Sequence, residues 1–287
     1  MTLELTNETA NCRAQNPRLD SIARTDVKMK VVILAGGLGT RISEESFLKP
    51  KPMVEIGERP ILWHIMKIFE AQGFDEFIIC LGYKGAMIKD YFLNYAHYNS
   101  DITVDLATNT HTIHRTNTEK FKVTLVDTGL ETLTAGRLQK IAKFVEGEEF
   151  LMTYGDGLAD VDLKALVDFH RANKRIATVT AVRPAGRFGL LGLNDDGTVT
   201  DFEEKPVNGT GWINGGFFIL GPRVFEYLPE DSELIMWEHE PMEKLAADGQ
   251  LVAFKHAGFW KCMDALRDKE ELEQLWRSGG AKWNIWD

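Results

Sequence analysis

The sequence predicts an α/β fold in which a mostly parallel sheet is covered by helices. Three observations predict it. Short, fully apolar runs such as Val31-Val32-Ile33-Leu34 recur along the chain, segments with helical apolar spacing alternate with them, and a glycine-rich turn follows the first run. Runs apolar at every position suit strands buried on both faces, as parallel sheets require. A βαβα order builds such a sheet.

The elements follow in chain order. Residues 1–28 are polar and aperiodic and read as a flexible N-terminal extension, with residues 29–287 forming one domain. After the strand at Val31–Leu34, Pro60 suits the first turn of a helix carrying Ile61, Leu62, Ile65, Ile68 and Phe69, which ends near Gly73. Phe77–Leu81 is a second strand, and Gly82-Tyr83-Lys84-Gly85 turns into a helix through Ile88, Tyr91 and Phe92. Residues 91–120 are less regular. Lys122–Val126 is a strand, Ala135–Val145 a helix, Phe150–Tyr154 a strand and Asp162–Ala172 a helix, followed by a strand at Ile176–Val182. Residues 186–220 carry short strands with turn signals, such as Asn194-Asp195-Asp196-Gly197 between Leu190–Leu193 and Val199–Phe202, and read as a mixed sheet added to the core. A strand at Leu251–Lys255 and a helix at Leu266–Trp276 complete the domain, and no internal repeat is visible.

Composition narrows the function. A net charge of −10 argues against general binding to nucleic-acid backbone. No apolar run is long enough to span a membrane, and no apolar leader is visible. The three cysteines, Cys12, Cys80 and Cys262, are odd in number and far apart, which points to reduced thiols and a cytoplasmic setting. His111 and His114 have no nearby cysteine to complete a zinc site.

Chemistry concentrates after the first strand. Leu34-Ala35-Gly36-Gly37-Leu38-Gly39-Thr40-Arg41 is followed by Lys49-Pro50-Lys51-Pro52. Free backbone amides, glycines that admit close approach, an arginine and a lysine together suit a polyphosphate. The loop has neither the dinucleotide spacing nor the Gly-Lys-Ser/Thr of the Walker loop. Gly155-Asp156-Gly157 closes a later strand, where ligands of open α/β sheets bind. Asp264 follows the last strand; magnesium takes one or two carboxylates together with phosphates. An Asx-turn aspartate at Asp156 stays open, and spacing alone does not bring Asp156 and Asp264 together.

With these motifs in view, the chain resembles the sugar-1-phosphate nucleotidyltransferases from Lys30 to Asp287. The marks of the broad family are LAGGLGTR at 34–41, TYGDG at 153–157 and EKP at 204–206. GYKG at 82–85, VDTG at 126–129, GRFG at 186–189 and the tryptophan-rich end resemble its cytidylyl branch. The resemblance implies a Rossmann-like, mixed and mostly parallel central sheet flanked by helices, with the small added sheet at the sugar site. It implies transfer of a cytidylyl group from CTP to α-D-glucose 1-phosphate with Mg²⁺, in a homo-oligomer. Thymidylyl or guanylyl transfer, or a non-catalytic nucleotide-binding subunit on the same fold, stand as alternatives.

The resemblance also implies roles for residues. Arg41, Lys51, Asp156 and Asp264 are the catalytic candidates, with Asp156 and Asp264 as metal ligands. Leu34 to Arg41, Lys51, Gly82, Thr132, Arg137 and Gly155 are expected at the nucleotide, with Lys84 near the base. Tyr154, Arg187, Gly189, Glu204, Lys205, Asn214 and Gly215 are expected at the sugar phosphate, with Glu238 a weaker candidate. Trp237, Phe259 and Trp260 read as core more readily than as sugar platforms.

Overall fold

The structure is a computed structural model and describes residues 28–39, 47–116, 118–184, 190–193, 199–203 and 211–286. The strands, in chain order, are β1 (Val31–Leu34), β2 (Glu55–Ile56), β3 (Arg59–Pro60), β4 (Glu76–Leu81), β5 (Ser100–Asp105), β6 (Thr110–Thr116), β7 (Lys122–Asp127), β8 (Phe150–Tyr154), β9 (Gly157–Ala159), β10 (Ala177–Val182), β11 (Leu190–Leu193), β12 (Val199–Glu203), β13 (Ile213–Leu220), β14 (Leu251–His256) and β15 (Trp260–Cys262). The helices are α1 (Ile61–Glu70), α2 (Gly85–Leu93), α3 (Tyr95–Tyr98), α4 (Thr134–Lys140), α5 (Leu163–Asn173), α6 (Glu240–Ala247) and α7 (Leu266–Arg277).

Seven strands form the central sheet in the order β14-β10-β13-β8-β1-β4-β7. β1 pairs in parallel with β4 and β8, β4 with β7, and β10 with β14, while β13 runs antiparallel to both β8 and β10. The sheet is therefore mixed and mostly parallel, as expected. Side chains alternate across it. Val31 and Ile33 join one core with α1 and α5; Val32 and Leu34 join the other with α4 and Trp237. Phe217 and Ile219 against Phe218 and Leu220 repeat the division on β13. An uninterrupted apolar run is thus what a strand with two buried faces needs.

Helix boundaries follow local chemistry. The Asp162 carboxylate accepts from the Ala165 amide at 2.8 Å and caps α5. Pro60 precedes α1 as its cap residue rather than entering its first turn. The segment expected to be one helix at 135–145 is α4 followed by a single 3₁₀ turn at Ala142–Phe144. The stretch 91–120 is not irregular throughout: it holds α3 and the antiparallel β5–β6 ribbon, whose β5 side chains are mostly exposed. Ile102 and Val104 alternate with polar neighbours, but so short and exposed a run lacks the continuous apolar stretch that marks the central strands.

Two small pairings position the site. β15 lies antiparallel to β9, with Cys262 opposite Gly157. β2 pairs with β3, and Gly57 between them has φ +58°, with Trp276 of α7 where a side chain would stand. The C-terminal segment is thereby pinned: Trp63, Trp276, Trp283 and Trp286 surround the buried His64. Of the added sheet expected over 186–220, β11 and β12 do form a small separate pair, whereas β13 lies inside the central sheet between β8 and β10.

Candidate active site

The ends of β1 and β8 run the same way, so the loop at 35–39 and Gly155-Asp156-Gly157 meet at one edge of the sheet. A cleft of about 540 Å³ opens there. Its wall includes Leu34, Ala35, Gly36, Gly37, Gly39, Lys51, Thr132, Arg137, Tyr154, Gly155, Asp156, Asn214, Gly215, Glu238, Trp260 and Asp264. Leu38 is exposed beside it. Thr40, Arg41, Arg187, Gly189, Glu204 and Lys205 lie outside the described residues.

Lys51 opens a 3₁₀ turn after Pro50 and aims its ammonium between two carboxylates. Nζ donates to Asp156 Oδ2 at 2.5 Å and to Asp264 Oδ1 at 2.7 Å. Burial alone would lower the lysine's pKa. The Asp156 charge and the hydrogen bonds to both aspartates outweigh it and hold the ammonium above its ordinary value. Asp264 is steadied from behind, because the Asp268 carboxylate accepts from the amides of Asp264 at 3.1 Å and Ala265 at 2.9 Å. The Met263 amide donates to the Asp156 carbonyl at 2.9 Å and ties the two carboxylate segments together.

Sequence reasoning missed Cys262. Its sulfur and one oxygen each from Asp156 and Asp264 lie within 4.8 Å of one another. Burial and the neighbouring Asp156 carboxylate push the thiol's pKa well above the ordinary range, so it stays protonated. Its place opposite Gly157 is a tertiary pairing that carries no local signal. Two carboxylates with a neutral thiol form a set that can hold a divalent metal through hard oxygen donors.

Arg137 is the fourth residue of α4, and it is buried. Nη1 donates to the Leu81 carbonyl at 3.0 Å, to Thr128 Oγ1 at 2.6 Å and to the Gly129 carbonyl at 3.0 Å. Nη2 donates to the Gly36 carbonyl at 2.9 Å. A Cβ on Gly36 would stand 2.1 Å from Nη1, and one on Gly82 would stand 2.6 Å from it. These two glycines therefore make room for an arginine, beyond any room they leave for a ligand. Gly39, with φ +65°, is a glycine by backbone conformation. Lys84 turns away from the cleft, and its ammonium is held by the carbonyls of Phe47 and Leu48.

On the opposite wall Tyr154 Oη donates to Glu238 Oε1 at 2.5 Å and accepts from Asn214 Nδ2 at 3.3 Å. Glu238 Oε2 accepts from Thr134 Oγ1 at 2.7 Å. Burial and the Glu238 carboxylate drive the tyrosine's pKa far upward, so the phenol remains a neutral donor. Gly216, at φ +82°, lets the Tyr154 ring pass where a Cβ would lie 2.7 Å from Cδ2. Trp260 donates to the Gly215 carbonyl at 2.7 Å. Trp237 is wholly buried in the core, and Phe259 packs on Trp283. Thr132 is buried and accepts from Lys140 Nζ at 3.0 Å.

The family model for nucleotidyl transferase matches residues 30–266. The chain belongs to the nucleotidyl transferase family. Within it, the chain is 53% identical over 260 residues to glucose-1-phosphate cytidylyltransferase of Salmonella typhimurium, covering 90% of this chain and 100% of that one. It is 44% identical over 258 residues to the probable glucose-1-phosphate cytidylyltransferase of Bacillus subtilis, covering 90% of this chain and 100% of the relative. Among solved structures, HddC from Yersinia pseudotuberculosis complexed with GMP-PN superposes with TM-score 0.63 at 26% identity, covering 86% of this chain and 99% of that one. Among the described residues, no helix is long and apolar enough to cross a membrane.

Proposed function

We propose that the chain transfers the cytidylyl group of CTP to α-D-glucose 1-phosphate, releasing pyrophosphate and giving CDP-glucose. The observation that carries this reading is Lys51 held between Asp156 and Asp264 at the mouth of the glycine loop. Likeness along nearly the whole chain to the Salmonella cytidylyltransferase supports the base and sugar.

The chemistry asks for positioning and charge neutralisation rather than a protein nucleophile. A phosphate oxygen of the sugar phosphate attacks the α-phosphorus of CTP. The bond from that phosphorus to the bridging oxygen breaks, and pyrophosphate leaves in line. The backbone from Leu34 to Thr40, with Gly155, receives the nucleotide, and Arg41 takes the β- and γ-phosphates through its planar fork. Arg137 acts on the nucleotide through the Gly36 and Gly82 backbone that it packs against. Thr132 completes that wall. Lys51 offsets the charge of two anions brought together at the α-phosphorus. Asp156 and Asp264 would hold Mg²⁺, which when bound neutralises phosphate charge between the substrates. Asn214, Gly215 and Tyr154 line the cleft; in this reading they take the sugar, and Arg187, Gly189, Glu204 and Lys205 complete the sugar-phosphate contacts.

A cytoplasmic homo-oligomer belongs to the same proposal. The free Cys80 and Cys262 thiols and the exposed Ile102, Val104 and Ile113 of the β5–β6 ribbon support it. Light scattering of the purified chain tests the assembly. The activity is tested by incubating the protein and Mg²⁺ with glucose 1-phosphate and each of CTP, TTP, UTP and GTP, and measuring nucleotide sugar. CTP is expected to give the fastest turnover. Product from TTP with none from CTP overturns the assignment.

A further inference from the structure

The third donor at the carboxylate pair has no use in the chemistry above. Cys262 Sγ sits within 4.8 Å of the Asp156 and Asp264 oxygens on the cleft wall. Two backbone links fix this arrangement: the Cys262–Gly157 pairing of β15 with β9, and the Met263 amide on the Asp156 carbonyl. Mg²⁺ gains little from sulfur, because it takes oxygen ligands. Thiophilic ions choose differently, since thiolate and carboxylate ligands together suit zinc and its heavier relatives.

We infer that Asp156, Cys262 and Asp264 form a second mode of metal binding, in which a thiophilic divalent cation such as Zn²⁺ or Cd²⁺ is held through the Cys262 sulfur and both carboxylates. This rests on reading the carboxylate pair as metal ligands. On binding, the S–H bond breaks, a metal–sulfur bond forms and the proton leaves to solvent; no oxidation state changes. Charge favours the exchange. Lys51 offsets one of the two carboxylates, so a thiolate and a divalent ion bring the group to neutrality. Ligands on one tetrahedral zinc lie roughly 3.5 Å apart at bonds of about 2.0–2.3 Å, so closing the set requires movements on the order of 1 Å. Such an ion leaves one coordination position, whereas an octahedral Mg²⁺ leaves several for phosphate oxygens. The thiophilic ion is therefore a competitor of the working metal.

The test is titration of the substrate-free, full-length protein with Cd²⁺, following the ultraviolet sulfur-to-cadmium charge-transfer band, with calorimetry alongside. Cys262→Ser and Cys262→Ala are compared with the parent chain, while Cys12 and Cys80 are present in all three. The expected result is a saturable band that is lost in both variants, with Cd²⁺ affinity falling by about tenfold or more and Mg²⁺ affinity hardly changed. An undiminished band in the variants, or an equal fall for Mg²⁺, overturns the inference. No substrate is present, so this outcome is separate from whether CTP and glucose 1-phosphate react.

Discussion

The guanidinium of Arg137 occupies the space that a side chain at Gly36 would need. Nη2 donates to the Gly36 carbonyl at 2.9 Å, and a Cβ there would stand 2.1 Å from Nη1. One buried cation thus gathers the end of β1, the end of β4 and the turn after β7 through carbonyls of Gly36, Leu81 and Gly129. The glycine loop keeps its shape because an arginine from α4 braces it from behind.

Gly36→Ala is expected to displace that arginine and to lower stability by about 1–3 kcal/mol, the usual range for overpacking. Arg137→Lys should not rescue the contacts, because a single ammonium cannot reach acceptors arranged for a planar fork. Urea unfolding of both variants checks this; an unchanged midpoint in either one removes the bracing role.

Asp156→Asn is expected to abolish turnover, by roughly a thousandfold or more if it strips both metal and lysine of their partner. The fold should persist, since the residue is only partly buried and its backbone pairing remains. Pyrophosphate release across a Mg²⁺ titration, with circular dichroism as the control, decides it. Near-normal Mg²⁺-dependent activity would remove Asp156 from the metal site.

Lys205→Ala is expected to raise the KM for glucose 1-phosphate about tenfold while leaving the KM for CTP nearly unchanged, as loss of one charge-assisted phosphate contact does. Steady-state kinetics with each substrate varied in turn separates the two; an unaltered sugar-phosphate KM takes Lys205 out of that site.

His64 gives stability a pH dependence. Burial among the tryptophans lowers its pKa from 6.5 to about 4, despite the hydrogen bond between Nε2 and the Ile56 carbonyl at 2.7 Å. The folded state holds the neutral ring, and the unfolded chain takes up a proton below its ordinary pKa. This contribution is therefore fully present above pH 6.5 and is lost as pH falls toward about 4. The loss is on the order of 3 kcal/mol across that window. Unfolding free energies measured at several pH values should show the slope, and His64→Gln should flatten it even if its baseline is lower.

Much of the fold is legible in the chain because several central strands are largely apolar on both faces. Val31–Leu34, Phe77–Leu81 and Phe150–Tyr154 need no partner to announce themselves. The β5–β6 ribbon and the pairing of β9 with β15 left no such trace. The first is largely exposed, and the second is only three residues long on each side. In the cleft, Lys51, Asp156 and Asp264 stand out by glycine, proline and carboxylate context, whereas Cys262 has no such local context. The sequence neighbours of Arg137 give no hint of its acceptors, which come from three other segments.

By itself the sequence determined the class of sheet and singled out the glycine loop after β1, Lys51 and the two aspartates as candidates, because periodicity and local motif chemistry are written within a few residues. Only the tertiary structure decided that Lys51 joins Asp156 to Asp264 across separations of 105 and 213 residues, that a thiol completes that group, and that Gly36 and Gly82 yield their space to Arg137. Those relationships arise from strand order and crossing backbone segments, and short-range spacing carries no record of which distant side chains the fold will bring together.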